Sequence, residues 1–175
     1  MPNTFLYFAY GSNMLTRRLR APKRAPSAMP VGTGFVQGHR LTFDKVSTDS
    51  SSKCSMEKSA NPADRVYGVL FEVSLSDSRS LDDTEGAGRG YRNGLIQVVT
   101  PDAVKTAVTY FATERDPHRR PYSWYKALVL EGALEHGLPE AYVQALRRVA
   151  SQPDPNVERR ERNEALLAGK GEEWY

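Results

Sequence analysis

Three groups of side chains in this sequence have the types and spacing to do chemistry. The run Asp82-Asp83-Thr84-Glu85-Gly86 closes a short helical pattern. Glu85 would stand at a helix C-terminus beside two carboxylates, where dipole and like charge both favour holding a proton, as a general acid/base requires. Solvated carboxylates on a helix end would read the same way, but Gly86, Gly88 and Gly90 follow at once and let backbone approach a ligand closely. The second group is Tyr10-Gly11-Ser12-Asn13, where a strand-like run ends in glycine and feeds a helix start. Such a turn either offers unpaired backbone N–H groups to a carboxylate or phosphate, or is an ordinary βα turn capped by Ser12 or Asn13. It is not a G-x-x-x-x-G-K-[ST] phosphate loop, and Ser12 lacks the G-x-S-x-G setting of a serine nucleophile. Tyrosine is the third group. Tyr7 and Tyr10 belong to the first strand, and Tyr91, Tyr110, Tyr122 and Tyr125 could each present a hydroxyl to a cleft, although tyrosines commonly pack with the hydroxyl at the surface.

The elements that must position these groups can be read from pattern. Residues 4–10 (TFLYFAY) form a buried strand, followed by a short helix through Met14, Leu15 and Leu19 that ends before Pro22. Residues 31–35 and 40–46 predict two strands joined through Gln37-Gly38, and residues 65–73 (RVYGVLFEV) the central strand. Residues 47–64, polar and serine-rich, predict one long loop. Residues 91–100 and 104–112 predict a strand pair across Pro101-Asp102, and residues 123–136, 139–149 and 157–169 predict three helices. Strands first and helices later indicate an α+β fold, a curved or barrel-like mixed sheet flanked by helices. The expected organisation is one domain over residues 1–150, with residues 151–175 as its helical extension.

Composition narrows the function class. A chain of 175 residues with 39% hydrophobic and 26% charged residues is globular. The net charge of +3 has a local source: Arg17, Arg18, Arg20, Lys23 and Arg24 crowd into RRLRAPKR, and taking those five from 24 leaves 19 basic residues against 21 acidic. That run has no interleaved aromatics, so a nucleic-acid face is not expected. Cys54 is the only cysteine, and His39, His118 and His136 are widely spaced, so neither a disulfide nor a metal site is expected. No apolar run reaches the roughly 20 residues of a membrane span, and MPNTFLYFAYGSN lacks the basic start of a secretory signal; a cytoplasmic, non-membrane protein is the expectation.

Taken in order, FLYFAYGSNML, VYGVLFEV, SLDDTEG, the strand carrying Tyr110 and ALEHGLPEAYVQAL resemble the gamma-glutamylcyclotransferase family over residues 5–149. The pairing of YGSN with the acidic EG motif is the specific part. The glutathione-specific branch usually has Leu where Asn13 stands, and the gamma-glutamylamine branch usually opens with a Gly-Thr-Leu variant, so the resemblance points to gamma-glutamyl amino acids or to gamma-glutamyl groups of larger acceptors. It implies a barrel-like core, Glu85 as the catalytic acid/base, and Tyr10, Gly11, Ser12 and Asn13 as the substrate loop. It also implies that Tyr91, Tyr110 and Tyr125 line the pocket, that no cofactor or metal is needed, and that the products are 5-oxoproline and a free amine. The ligand is then a small gamma-glutamyl molecule. Relatives are often dimers, and a homodimer is carried as one option.

Two other readings stand beside this one: removal of a gamma-glutamyl group from a larger amine, as relatives in antibiotic biosynthesis do, and a non-catalytic binding module. The first would depend on pocket width, set by residues 47–64 and by the basic loop 115–121 (RDPHRRP). Retention of Glu85 argues against the second.

Overall fold

The computed structural model describes residues 3–86, 88 and 90–169. Ala87 and Arg89 of the glycine run, and residues 170–175 of the expected extension, lie outside them. Among the described residues the order is β1 (Thr4–Ala9), a 3-10 turn (Ser12–Met14), α1 (Thr16–Leu19), β2 (Met29–Gln37), β3 (His39–Val46), β4 (Ser52–Lys58), β5 (Arg65–Ser74), a second 3-10 turn (Leu75–Asp77) and α2 (Ser78–Glu85). There follow β6 (Tyr91–Val99), β7 (Val104–Ala112), α3 (Ser123–Glu135), α4 (Glu140–Arg148) and α5 (Val157–Leu167).

The strand that reads as central is central. β5 pairs antiparallel with β1 from Thr4↔Ser74 to Ala9↔Val69 and with β2 from Met29↔Glu72 to Gln37↔Arg65. Val66, Val69, Leu70, Phe71 and Val73 of β5 are all buried, as expected of an apolar, β-branched strand flanked on both edges. β6 and β7 form the anticipated hairpin. Two short seams close the barrel in the order β1-β5-β2-β6-β7: β2 meets β6 antiparallel at Phe35↔Val99, and β1 meets β7 in parallel at Tyr7↔Val108. The sheet is therefore mixed and barrel-like, as its sequence predicts.

Residues 47–64 do not form the single loop that their serine content predicts. β4 lies within them and pairs with β3 as a separate ribbon, from His39↔Lys58 to Val46↔Ser52. Small hydroxyls can be buried once they are hydrogen-bonded. Ser52 manages this by donating to the Phe43 carbonyl at 2.6 Å, and Cys54 and Met56 supply the apolar contacts of the buried face.

The short helix expected after Asn13 is split into the first 3-10 turn and the single-turn α1, with Leu15 extended between them (φ −72°, ψ 109°). Neither Ser12 nor Asn13 caps it; the N-cap positions are Gly11 and Leu15, without side-chain bonds. The turn is pinned from behind by α3. A Cβ at Gly132 would fall 2.5 Å from the Leu15 nitrogen and 2.7 Å from the Met14 carbonyl carbon, so the helix comes this near only because residue 132 has no side chain. α5 is tied to the same region, since Arg17 donates to the carbonyls of Leu166 and Leu167 at 2.8 Å each and satisfies that helix end. Phe8, Met14, Leu15, Leu19, Phe71, Leu81 and Leu128 are fully buried in one continuous core, each such side chain contributing about 1.5–3 kcal/mol. No helix among the described residues is long and apolar enough to cross a membrane.

Candidate active site

The two motifs that could do chemistry meet. β1 ends at Ala9 and the chain turns through Tyr10-Gly11-Ser12-Asn13, while α2 ends at Glu85 because Gly86 takes the left-handed conformation (φ 66°). Across the gap, Asn13 Nδ2 donates to Glu85 Oε1 at 2.7 Å and to the Tyr7 hydroxyl at 3.1 Å. Glu85, Tyr10, Gly11, Ser12, Asn13, Tyr91, Tyr110 and Tyr125, all singled out from the sequence, line one cavity together with Tyr7 and Cys54.

The tyrosines form a neutral wall. Tyr10 donates to the Tyr110 carbonyl at 2.5 Å, Tyr91 to the Cys54 carbonyl at 2.7 Å and Tyr110 to Asp82 at 2.7 Å, while Tyr125 accepts the Cys54 N–H at 3.0 Å. Burial pushes the phenols of Tyr7, Tyr10, Tyr91, Tyr110 and Tyr125 above their ordinary range, so they do not ionise near neutrality. Burial likewise pushes the Cys54 thiol up to about 12, which leaves no thiolate to act as a nucleophile. Tyr122, the remaining tyrosine considered for a cleft, is elsewhere, with its hydroxyl on the Asp49 carbonyl at 2.8 Å.

The two carboxylates that precede Glu85 are bonded elsewhere or solvated. Asp82 turns to Tyr110 and to Asn93 (3.1 Å), and Asp83 is exposed. Among the described residues the side-chain partners of Glu85 are donors: Asn13, and Arg24 at the longer distance of 3.5 Å. Arg24 also reaches Asn13 Oδ1 at 3.2 Å. The basic run that contains Arg24 is no solvated stripe. Arg17 closes α5, Arg18 is buried with Nε on the Ser12 hydroxyl at 3.0 Å, and Arg24 joins the two motifs.

A larger compartment of about 300 Å³ adjoins the inner one and shares Ser12, Glu85, Tyr91 and Tyr125 with it. Ser47, Thr48 and Lys53 supply part of its wall, so the region 47–64 does shape the site. The loop 115–121 lines neither compartment. Its Arg115 instead binds Asp44 at 2.6 Å and Glu57 at 2.5 Å.

Tyr7 and Cys54 on the inner wall, and Arg24 and Lys45 on the outer one, are site residues that sequence reasoning missed. Tyr7 lies three positions before Tyr10, a spacing that puts two side chains on opposite faces of a strand. Both reach the cavity because β1 ends at Ala9, before Tyr10. Arg24 and Lys45 had no signal beyond their charge.

A model described as the AIG2-like family matches residues 65–146. The gamma-glutamylcyclotransferase of Mus musculus is 32% identical over 150 residues, 83% of this chain and 79% of that protein. The gamma-glutamylcyclotransferase of Homo sapiens is 31% identical over 154 residues, with the same shares of both chains. A solved structure named gamma-glutamyl cyclotransferase superposes with a TM-score of 0.84 at 31% identity, over 95% of this chain and 99% of that one. Sequence identity and fold thus agree over most of both chains, and this chain belongs to the gamma-glutamylcyclotransferase family.

Proposed function

We propose that this gamma-glutamylcyclotransferase acts on gamma-glutamyl amino acids, releasing 5-oxoproline and the free amino acid, with Glu85 moving the protons. In a gamma-glutamyl amide the substrate's own α-nitrogen can reach the γ-carbonyl and close a five-membered lactam. At neutral pH that nitrogen is an ammonium with no lone pair, so a base must first take a proton. Glu85 takes it, the new N–C bond forms, and the amide C–N bond breaks as the departing nitrogen is protonated. The α-nitrogen gives up two protons to end as the lactam N–H, the departing nitrogen gains two, and one carboxylate carries both in turn. Holding the substrate folded back supplies much of the acceleration, because well-oriented intramolecular attack is worth several orders of magnitude.

What carries this reading is the Asn13–Glu85 hydrogen bond of 2.7 Å, which joins the substrate loop to the carboxylate across one cavity. Within the 3-10 turn Met14 donates to the Gly11 carbonyl (3.0 Å) and Leu15 to the Ser12 carbonyl (3.3 Å). The N–H groups that open the turn are thus available to the substrate's α-carboxylate or to the tetrahedral oxyanion. In this scheme Tyr10, Tyr91, Tyr110 and Tyr125 shape the cavity and exclude water, and they transfer no proton.

The test is incubation with gamma-glutamyl-alanine and a panel of gamma-glutamylamines, following 5-oxoproline by mass spectrometry. Wild type is expected to release it from the amino-acid conjugate, and Glu85→Gln to bind that substrate without releasing it. Full turnover by the Gln variant would remove Glu85 from the mechanism.

A further inference from the structure

Cyclisation of the γ-glutamyl group leaves the outer compartment without a role. The inner compartment, about 30 Å³, opens onto the outer one, about 300 Å³, along a wall that both share at Ser12, Glu85, Tyr91 and Tyr125. Glu85 stands on that shared wall, so a group attached to a γ-carbonyl held at Glu85 has open space in the outer compartment.

That compartment is positive. Arg18, Arg24, Lys45 and Lys53 line it, against Asp83 and Glu85. Three of the cations are engaged: Arg18 with Ser12 at 3.0 Å, Arg24 with Asn13 at 3.2 Å, and Lys53 with Asp49 at 2.6 Å. Lys45 differs. Its ammonium lies 4.6 Å from the centroid of the Tyr91 ring and forms no ion pair among the described residues. Lys45 is half-buried, and the loss of water lowers its pKa against the weaker opposing pull of Glu85, Asp49 and Glu114. A partly desolvated charge without a contacting counter-ion is a receptor for an anion. The space is also kept for it: a Cβ at Gly90 would come within 2.8 Å of Lys45 Nζ.

We propose that the outer compartment is the subsite for the departing amine and that Lys45 binds a carboxylate on it. The enzyme then ranks leaving groups by negative charge, a dicarboxylic amino acid before a monocarboxylic one, and that before an uncharged alkylamine. This rests on the reading of Glu85 given above.

The experiment compares kcat/KM for γ-glutamyl-glutamate, γ-glutamyl-glutamine and γ-glutamyl-ethylamine in wild type, Lys45→Met and Lys45→Arg, with thermal melts to establish folding. The first two substrates are near-isosteric and differ in one charge. Wild type is expected to favour γ-glutamyl-glutamate over γ-glutamyl-ethylamine by about tenfold or more, the scale of one hydrogen bond to a charged group. Lys45→Met should collapse that ratio through KM, and Lys45→Arg should restore most of it. Raising salt in wild type should compress the ratio without any substitution, which keeps the test open if a variant does not fold. Equal turnover of all three substrates by wild type would overturn the subsite while leaving the cyclotransferase reading intact. A ratio unchanged in folded Lys45→Met would overturn the role of Lys45. No 5-oxoproline from any of the three would overturn the parent reading, and this one with it.

Discussion

Two carboxylates in this fold each face an arginine, and they are held in opposite ways. Asp154 is saturated: Arg159 donates to it twice, at 2.6 and 2.7 Å, the Trp124 indole at 2.8 Å, and the Asn156 N–H at 2.8 Å. Its side chain is 0% exposed. Glu85 has one short donor, Asn13 at 2.7 Å, with its arginine at 3.5 Å and its side chain 18% exposed at a cavity wall. A carboxylate whose lone pairs are all occupied can hold a structure together but cannot exchange a proton with a ligand. One with spare acceptor capacity facing a cavity can. The contrast separates a structural acid from a candidate catalytic one on coordination alone.

The contrast breaks first if the two amide variants fail to behave reciprocally. Glu85→Gln should lower kcat by about 10²–10⁴-fold, the range of general acid–base catalysis, with little change in melting temperature. Asp154→Asn should do the reverse. It leaves the Arg159 guanidinium, 30% exposed, without its counter-ion, which costs about 1.5–3 kcal/mol, the scale of a hydrogen bond to a charged group, while turnover per folded molecule at 25 °C stays near wild type. Thermal melts and 5-oxoproline assays on both proteins read the two axes independently. Similar losses on both axes for both variants would end the distinction.

Acid should sharpen the same comparison. The hydrogen bonds from Arg159 hold the Asp154 carboxyl well below the usual carboxylate range. For Asp49, burial raises the pKa, but the hydrogen bonds from Lys53 and Ser51 and the Lys53 charge outweigh it and bring it to about 2. A carboxyl depressed in the folded state contributes stability that is fully present above its unfolded pKa, near 3.9. That contribution is lost as pH falls through the folded value. The Asp49 share should therefore disappear between about pH 4 and pH 2, and the Asp154 share at the acid end of the same titration. Melting temperature followed downward from pH 5 should fall steeply in wild type and less steeply in Asp154→Asn. Parallel curves would mean that Asp154 is not a main acid-labile group.

How far these features could be read from sequence follows their range along the chain. The strand that ends at Ala9, the glycine after it and the helix end at Glu85 are local patterns, and each is legible because a few neighbouring residues decide it. The Asn13–Glu85 contact spans 72 residues and depends on how β1 and α2 meet, which no local pattern encodes. The ribbon strand β4 was hidden because serine composition speaks for a loop, whereas Ser52 is accommodated by a hydrogen bond that only its partner strand provides. Arg24 was hidden by its neighbours. A run of five cations within RRLRAPKR reads as one charged surface, and nothing in the spacing says that Arg17, Arg18 and Arg24 turn to three different partners.

The smallest expected effect comes from Gly90→Ala, and it separates position from charge in the outer compartment. The new Cβ would meet Lys45 Nζ at 2.8 Å and Cε at 3.1 Å, both at the far end of a flexible side chain, with no backbone atom among its nearest contacts. The ammonium can therefore move aside, and the stability change should stay within about 1 kcal/mol. The net charge of the protein is unchanged, so any long-range attraction of anionic substrates survives. A preference for γ-glutamyl-glutamate that rests on direct contact with Lys45 should weaken a few-fold, since a charge-assisted bond depends on its geometry. A preference that rests only on the field of the four cations should not move.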